Sequence, residues 1–365
     1  MKDDQRNLPE NKKRIHMKIS MLMSYSQGFV GAANEIVELE KAGLNVVWVP
    51  EAYSFDGVSA MGYLAAKTKN LTIASGILNI YSRTPTLLAM TAAGMDSLSE
   101  GRCILGLGAS GPQVIEGFHG VAYDAPVTRM REIIDICRKV WRREEKLTHK
   151  GKKYQIPLPS DQGTGLGTPL KIINHPYRSE IPIALATLGE KSVAMTAELA
   201  DAWLPAFFMA EGADTIWGDA LRNGTAKRDP GRAPLDVYAG GGVAIGTGLE
   251  SYRDMSRPGI ALYVGGMGAK EKNFYNQVFR KYGYEEEAEE IQNLYLSGKK
   301  SAAEAAIPQS YLDATSLIGS EGFVKDRIQA LKESGVTSLN VGFMGKTSAE
   351  RVGHCDALSN LLAKI

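Results

Sequence analysis

The residues able to do chemistry in this chain are few and widely spaced. Cys103, Cys137 and Cys355 form no CxxC pair, and His16, His119, His149, His175 and His354 include no i,i+4 pair and no HExxH. Neither a zinc site nor a dithiol motif is available, so no protein-bound metal and three buried thiols are expected. The sharpest motif is Gly106-Leu107-Gly108-Ala109-Ser110-Gly111, a GxGxxG directly after an apolar run. Such glycines can hold a pyrophosphate on backbone N–H groups. Here the motif follows a fourth strand rather than a first, and Pro112 comes immediately after it. Asp124 lies in a segment that is no βαβ unit, so it does not supply the ribose-binding acid of a dinucleotide fingerprint. Ser110 is no hydrolase nucleophile either, because a GxSxG elbow would need glycine where Pro112 stands. What remains is a hydroxyl flanked by glycines, suited to hydrogen-bonding a planar ring or a phosphate.

These residues need a scaffold. The 365-residue chain is 44% hydrophobic and 23% charged, with 42 basic and 41 acidic side chains and a net charge of +1. No apolar run reaches the ~18 residues of a membrane span. The neutral balance argues against nucleic-acid binding, which needs a basic footprint. Met1–His16 is polar and lacks the apolar centre of a secretory signal, and with the unpaired cysteines this points to a reducing, cytoplasmic setting. That segment, with Lys12-Lys13-Arg14, is expected to be a flexible extension, followed by one domain over 17–365.

Apolar runs predict strands at Lys18–Tyr25, Val46–Val49, Leu71–Ile77, Cys103–Leu107, Ile183–Ala186, Ala202–Leu204, Val237–Ile245 and Ser338–Val341. Amphipathic segments between them predict helices after Gly31 as far as Gly43, and over Ser59–Lys67, Pro85–Leu98, Glu190–Leu199 and Gly322–Ser334. Strands apolar on both faces, alternating with helices, mean a parallel sheet covered by helices. Eight of them close a (β/α)8 TIM barrel; an open doubly wound sheet is the alternative. Two stretches break the rhythm, after strands 4 and 7. The first runs from Gly108 to about Glu180, with an amphipathic helix at Val127–Arg143 and a small hairpin. The second is helical, from Glu250 to Ala306, and should turn Phe274, Val278 and Phe279 inward.

A closed barrel brings its strand ends together in one pocket. Those ends are Tyr25 and Ser26; Glu51, Ala52 and Tyr53; Gly76 to Asn79; Ala109 to Gly111; Thr187 to Gly189; and Pro205 to Phe208. The set is apolar, aromatic and glycine-rich, with one carboxylate and no paired acid–base device. It suits a large flat cofactor that carries the reaction itself.

Three segments, ASGILNIYSRTP (74–85), ILGLGASGPQVIEGFHG (104–120) and IALATLGEKSVAMTAELADAWLP (183–205), lie in an order and spacing that resembles the bacterial luciferase-like flavin and deazaflavin oxidoreductases. The likeness is greatest to the branch using coenzyme F420 and extends over nearly the whole chain from Met17. It implies an oxidoreductase that moves a hydride between the deazaflavin C5 and a small alkene, imine, ketone or alcohol. An FMN-dependent monooxygenase and a non-catalytic flavin- or deazaflavin-binding protein are the alternatives.

By position, the resemblance implies a non-prolyl cis peptide between Gly76 and Ile77 behind the ring, and Asn79 at the pyrimidine edge. Ser110, Gly111 and Gln113 would lie along the ring and ribityl chain. Thr187, Leu188 and Gly189 would form a phosphate turn, with Glu190 turned outward. Glu51 would be a cofactor contact, a proton handler or a carboxylate held by backbone N–H groups. Tyr25, Tyr53, Tyr81 and His119 are candidate proton donors, and Arg83, Lys171, Arg178 and Lys191 candidate partners for an acidic tail. Ala52 and Pro112 stand where sugar-phosphate dehydrogenases of the family carry histidine and glutamate, so such a substrate is not expected. The family also implies a homodimer or a dimer of dimers.

Overall fold

The computed structural model describes residues 17–25, 28–268, 270 and 272–365; the expectations for 1–16 and Ser26 lie outside these residues. Eight parallel strands form the barrel: β1 (Lys18–Leu22), β2 (Val46–Val49), β3 (Thr72–Ser75), β4 (Cys103–Gly108), β5 (Ile183–Ala186), β6 (Ala202–Trp203), β7 (Asp236–Ala239) and β8 (Ser338–Phe343). Pairing of Lys18–Met21 with Ser338–Val341 closes the cylinder and excludes the open sheet. Register places Val46, Trp48, Ala74, Ile104, Ala184, Ala202 and Tyr238 in one buried interior cluster. Trp48 and Tyr238 meet edge to face at 5.1 Å, and alanines on neighbouring strands make room for them.

The outer shell is formed by α1 (Phe29–Lys41), α2 (Gly57–Lys67), α3 (Pro85–Leu98), α4 (Pro112–Gly117), α5 (Pro126–Arg142), α6 (Glu190–Leu199), α7 (Asp219–Thr225), α8 (Arg257–Ala261), α9 (Phe274–Lys281), α10 (Glu285–Leu296), α11 (Lys300–Ala305), α12 (Gln309–Ala314), α13 (Glu321–Glu333) and α14 (Ser348–Lys364). In α5, Met130, Ile133, Ile134, Cys137, Val140 and Trp141 are all buried, and Trp141 Nε1 donates to the Ala89 carbonyl of α3 at 2.9 Å. The three cysteines are buried. Among the described residues no helix is long and apolar enough to cross a membrane.

The expected seventh strand, Val237–Ile245, is instead two. Asp236–Ala239 pairs with β6 and the lower half of β8, whereas Gly242–Ile245 pairs with the upper half of β8 and with an unanticipated strand, Leu317–Gly319. The chain steps sideways at Gly240-Gly241. Phe274 is a second correction: it starts α9 on the solvent side, 55% exposed, while Val278 and Phe279 are buried.

Two of the ion pairs that fasten the shell join neighbouring helices around the barrel. Arg351 of α14 donates to Glu35 of α1 (Nε to Oε1, 2.7 Å), and Arg131 of α5 is bidentate to Glu198 of α6. The guanidinium hydrogen bond holds each glutamate below its ordinary pKa. A depressed folded value means that this stability is complete above about pH 4.3 and is lost as pH falls through the lower folded values. Partly exposed, each pair is worth about 1 kcal/mol or less. Urea midpoints measured from pH 6 to pH 3 should therefore fall less steeply in Glu35→Gln and Glu198→Gln than in the parent; parallel curves would contradict this.

Candidate active site

The carboxyl ends of the strands share one face of the barrel. Leu22 is registered with interior-facing Trp48 yet is 51% exposed, so the barrel is open to solvent at this end and Leu22 lies on its floor. Beside it β3 and β4 fall out of step. Ala74 pairs with Ile104, but the next pair is Leu78 with Leu107, so three residues on one side oppose two on the other. This is a β-bulge, and it contains the expected cis peptide Gly76–Ile77. The bulge takes ladder partners away from Gly106, and Ser75 Oγ replaces both. It donates to the Gly106 carbonyl and accepts from the Gly106 N–H, each at 2.8 Å.

That clip explains the first two glycines of the GxGxxG motif. A Cβ on Gly106 would lie 1.8 Å from the Ser75 carbonyl oxygen, and one on Gly108 would lie 2.9 Å from the Ile77 side chain. Gly106 is needed for the close approach of the strands, and Gly108 clears the Ile77 side chain. Gly111 begins α4, and Ser110 before it is exposed and held at φ 56°. Gln113 is exposed on the first turn of α4.

Asn79 is buried, and its Oδ1 accepts from the N–H groups of Tyr81 (3.0 Å) and Ser82 (2.8 Å). This Asx turn fixes the side chain and commits its oxygen, so the amide NH2 is the donor left for a ligand. Across the mouth, the carbonyls of Thr187 and Leu188 are tied down by Trp203 Nε1 (3.0 Å) and Trp217 Nε1 (2.9 Å). Thr187 Oγ1 lies 2.8 Å from Thr196 Oγ1. Gly189 caps α6 without a side-chain acceptor, leaving first-turn N–H groups free for an anion, and Glu190 is exposed as expected.

The lone carboxylate is fully occupied. Glu51 is bidentate to Arg83 (2.5 and 2.8 Å) and accepts the Gly57 N–H at 2.8 Å. Arg83 also reaches Asp56 Oδ1 at 2.9 Å, and Asp56 caps α2. Glu51 therefore holds the loop after β2. Arg83, an expected partner for an acidic tail, spends its guanidinium on Glu51 and Asp56, and Glu51 raises its pKa.

Of the candidate donors, Tyr25 gives its hydroxyl to the Pro50 carbonyl at 2.7 Å and Tyr81 to the Asp124 carbonyl at 3.0 Å; burial raises the pKa of both. Tyr53 and Phe118 are exposed and 6.3 Å apart, joining the loop after β2 to the end of α4. His119 packs on Phe118, and its buried Nε2 has no partner. Lys171 and Arg178 belong to the opposite end of the barrel. Arg178 binds Asp96 and the Cys103 carbonyl at the start of β4, and Lys171 donates to the Glu144 carbonyl. Of those four cations Arg83 and Lys191 are near the mouth, Arg83 engaged by Glu51 and Lys191 exposed in the first turn of α6.

An apolar floor, one directed amide, a glycine-opened strand pair and an uncapped helix N-terminus fit a flat ring with a phosphate-bearing tail. They offer no free acid–base pair. Among the described residues no cluster of three or more His, Cys, Asp or Glu could hold a metal ion.

Known proteins share this architecture. The Mycobacterium tuberculosis protein named "Putative coenzyme F420-dependent oxidoreductase Rv3520c" is 36% identical over 94% of this chain and 100% of its own length. The coenzyme F420 dependent tetrahydromethanopterin reductase of Methanopyrus kandleri superposes with a TM-score of 0.78 at 19% identity, covering 93% of this chain and 97% of that one. An F420-dependent secondary alcohol dehydrogenase, solved with an F420-acetone adduct, gives 0.71 at 15% identity over 95% and 99%. The luciferase-like monooxygenase family matches residues 17–338. With its closed barrel, bulged third strand and glycine-opened fourth, the chain belongs to the luciferase-like monooxygenase family.

Proposed function

We propose that the protein is an F420-dependent oxidoreductase acting on a small uncharged organic substrate. The observation that carries this reading is the occupied state of Glu51. Glu51 is held by Arg83 and the Gly57 N–H, and the same guanidinium engages Asp56, so the carboxylates after β2 serve to hold the loop and the surrounding residues bind and orient. The relative 36% identical along the whole chain supports F420 over FMN. Bound F420 would supply a hydride carrier at C5; with a carbonyl substrate the hydride would go to carbon and solvent would supply the proton to oxygen.

The chain's own contribution is positional. The bulge clipped by Ser75 and the floor at Leu22 back the ring, and Asn79 donates to its edge. Ser110, Gly111 and Gln113 flank the next part of the cofactor. The Thr187–Gly189 turn and the α6 N-terminus take the phosphate, the dipole favouring its charge. Lys191 faces the acidic tail in solvent, where one charge is worth less than about 1 kcal/mol. Closing such a mouth around its ligands excludes water and fixes the reacting atoms.

Spectral titration of the purified protein with F420 and with FMN tests the proposal. Micromolar or tighter binding of F420, with FMN weaker, is expected. Asn79→Ala should weaken F420 about tenfold, the size of one buried hydrogen bond, while also loosening the Asx turn. Tight FMN binding with none for F420 would reverse the assignment in favour of a monooxygenase. Tight F420 binding without turnover of alkenes, ketones or alcohols would favour a carrier.

A further inference from the structure

The second insertion comes back to the barrel mouth at Tyr263. Beyond α8 the chain makes one π-helical turn, Leu262–Gly266, a conformation found often at functional sites. Buried amides hold it. Asn273 Nδ2 donates to the carbonyls of Tyr263 (2.8 Å) and Val264 (3.0 Å), and Asn276 Nδ2 donates to that of Val264 at 3.1 Å. Two glycines let the turn lie against α10: a Cβ on Gly265 or Gly266 would fall 2.5 or 2.4 Å from the Tyr295 side chain. These contacts fix where Tyr263 stands.

Its ring packs on Phe207 at 5.8 Å and edge-on against Tyr275 at 4.8 Å. Phe207 follows β6, on the mouth face of the barrel. Burial first, and then the neighbouring Tyr53 on the loop after β2, raise the pKa of Tyr263. Strands β2 and β6 stand opposite each other in the eight-stranded cylinder, so Tyr263 lies between two sides of the mouth. Other tyrosines there have spent their hydroxyls. Tyr25, Tyr81 and Tyr123 donate to the carbonyls of Pro50, Asp124 and Ser110, and Tyr282 accepts the Met209 N–H. Among the described residues Tyr263 Oη has no hydrogen-bond partner, and it is not one of the partnerless oxygens sealed from solvent. A phenol above its ordinary pKa keeps its proton in neutral solution, so this oxygen is a donor.

We infer that Tyr263 is a substrate-binding residue whose hydroxyl donates to the substrate's oxygen, so that the site takes carbonyl or alcohol substrates in preference to alkenes. The inference rests on reading the mouth as a redox site and narrows the substrate class of that site. A donor that gives up water when a ligand covers it needs an acceptor in return. A carbonyl supplies one, whereas an alkene of the same shape leaves the hydroxyl unpaired. The guanidinium at the mouth cannot take this part, because Arg83 is engaged by Glu51 and Asp56.

The test uses the full chain, with and without F420, and two probes of one shape. Cyclohexanone and methylenecyclohexane differ only in carrying C=O or C=CH2, and saturation-transfer NMR measures the affinity of each. Tyr263→Phe removes the oxygen and keeps the ring packed on Phe207 and Tyr275. It should weaken cyclohexanone about three- to tenfold and leave methylenecyclohexane unchanged, the second result also showing that the variant is folded. With tyrosine 13C-labelled at Cζ, the signal missing from Tyr263→Phe should move further with cyclohexanone than with methylenecyclohexane. Equal losses for the two probes would make Tyr263 a packing residue, and unaltered cyclohexanone binding would take its hydroxyl out of the site. Either result overturns the inference, as would a parent protein that binds no cyclohexanone, or a selective loss found in Tyr53→Phe or Tyr275→Phe instead. F420 titration of the same samples separates the two readings. A selective loss in a protein that binds no F420 would sink the redox assignment alone; F420 binding without a selective loss would sink this inference alone.

Discussion

Arg83→Ala should lower the unfolding free energy by about 3 kcal/mol, the low end of the range for breaking a buried ion pair. Its guanidinium is 14% exposed, and the partner Glu51 is 9% exposed. Truncation leaves Glu51 with the Gly57 N–H as its remaining hydrogen bond and removes a contact of the Asp56 cap on α2. The low end applies because Asp56 is half-exposed and can turn to water. Urea unfolding measures the effect. The double variant Arg83→Met with Glu51→Leu should recover most of the loss, because apolar groups of similar size replace a buried pair at little cost. A loss below about 1 kcal/mol in the single variant would mean that the pair behaves as a surface contact. The loop after β2 would then need another anchor.

Gly106→Ala should be the most damaging small substitution in the barrel. Its Cβ would lie 1.8 Å from the Ser75 carbonyl oxygen and 2.9 Å from the carbonyl carbon, both backbone atoms of the bulged strand. Moving them apart breaks the Ser75 clip on both Gly106 backbone groups. Overpacking a core by one methyl typically costs about 1–3 kcal/mol. With a backbone collision and two hydrogen bonds added, about 4 kcal/mol is expected, with F420 binding lost. Gly62→Ala is the control. It lies within α2 with nothing within 4 Å of the new atom and should be neutral or stabilising by up to about 1 kcal/mol. Equal thermal midpoints for Gly106→Ala and the parent would contradict the account of the motif.

Much of the barrel was legible in the sequence because its strands are buried on both faces. The apolar runs at Val46–Val49 and Ile183–Ala186 could be read without knowing the fold, and Pro85 marked the start of α3. The final helix α14 was not anticipated. Its buried residues, Cys355, Leu358, Leu361 and Leu362, lie from its middle onward, so its polar first two turns show no helical stripe. The strand Leu317–Gly319 was hidden for another reason: three residues are too few for periodicity to mark. The glycines leading into its partner strand, Gly240-Gly241-Gly242, held the available signal, since consecutive glycines inside a strand mark a break or a close backbone approach.

The site divides in the same way. Residues following a strand or opening a helix, such as Asn79, Ser110 and Gly189, could be placed from order along the chain. Side-chain partnerships could not. Nothing in the spacing of Glu51 and Arg83 shows that they meet, and the structure pairs this arginine with the neighbouring loop. Arg178 was misplaced because the first insertion returns the chain to the amino end of the barrel before β5 begins.

The most direct measurement of the central claim is a crystal structure of the protein soaked with F420. The account predicts the tricyclic ring over the Gly76–Ile77 peptide, within hydrogen-bonding distance of the Asn79 amide, and the phosphate at the amino end of α6. Density for the cofactor anywhere else on the molecule, or a mouth that stays empty at saturating F420, would contradict it.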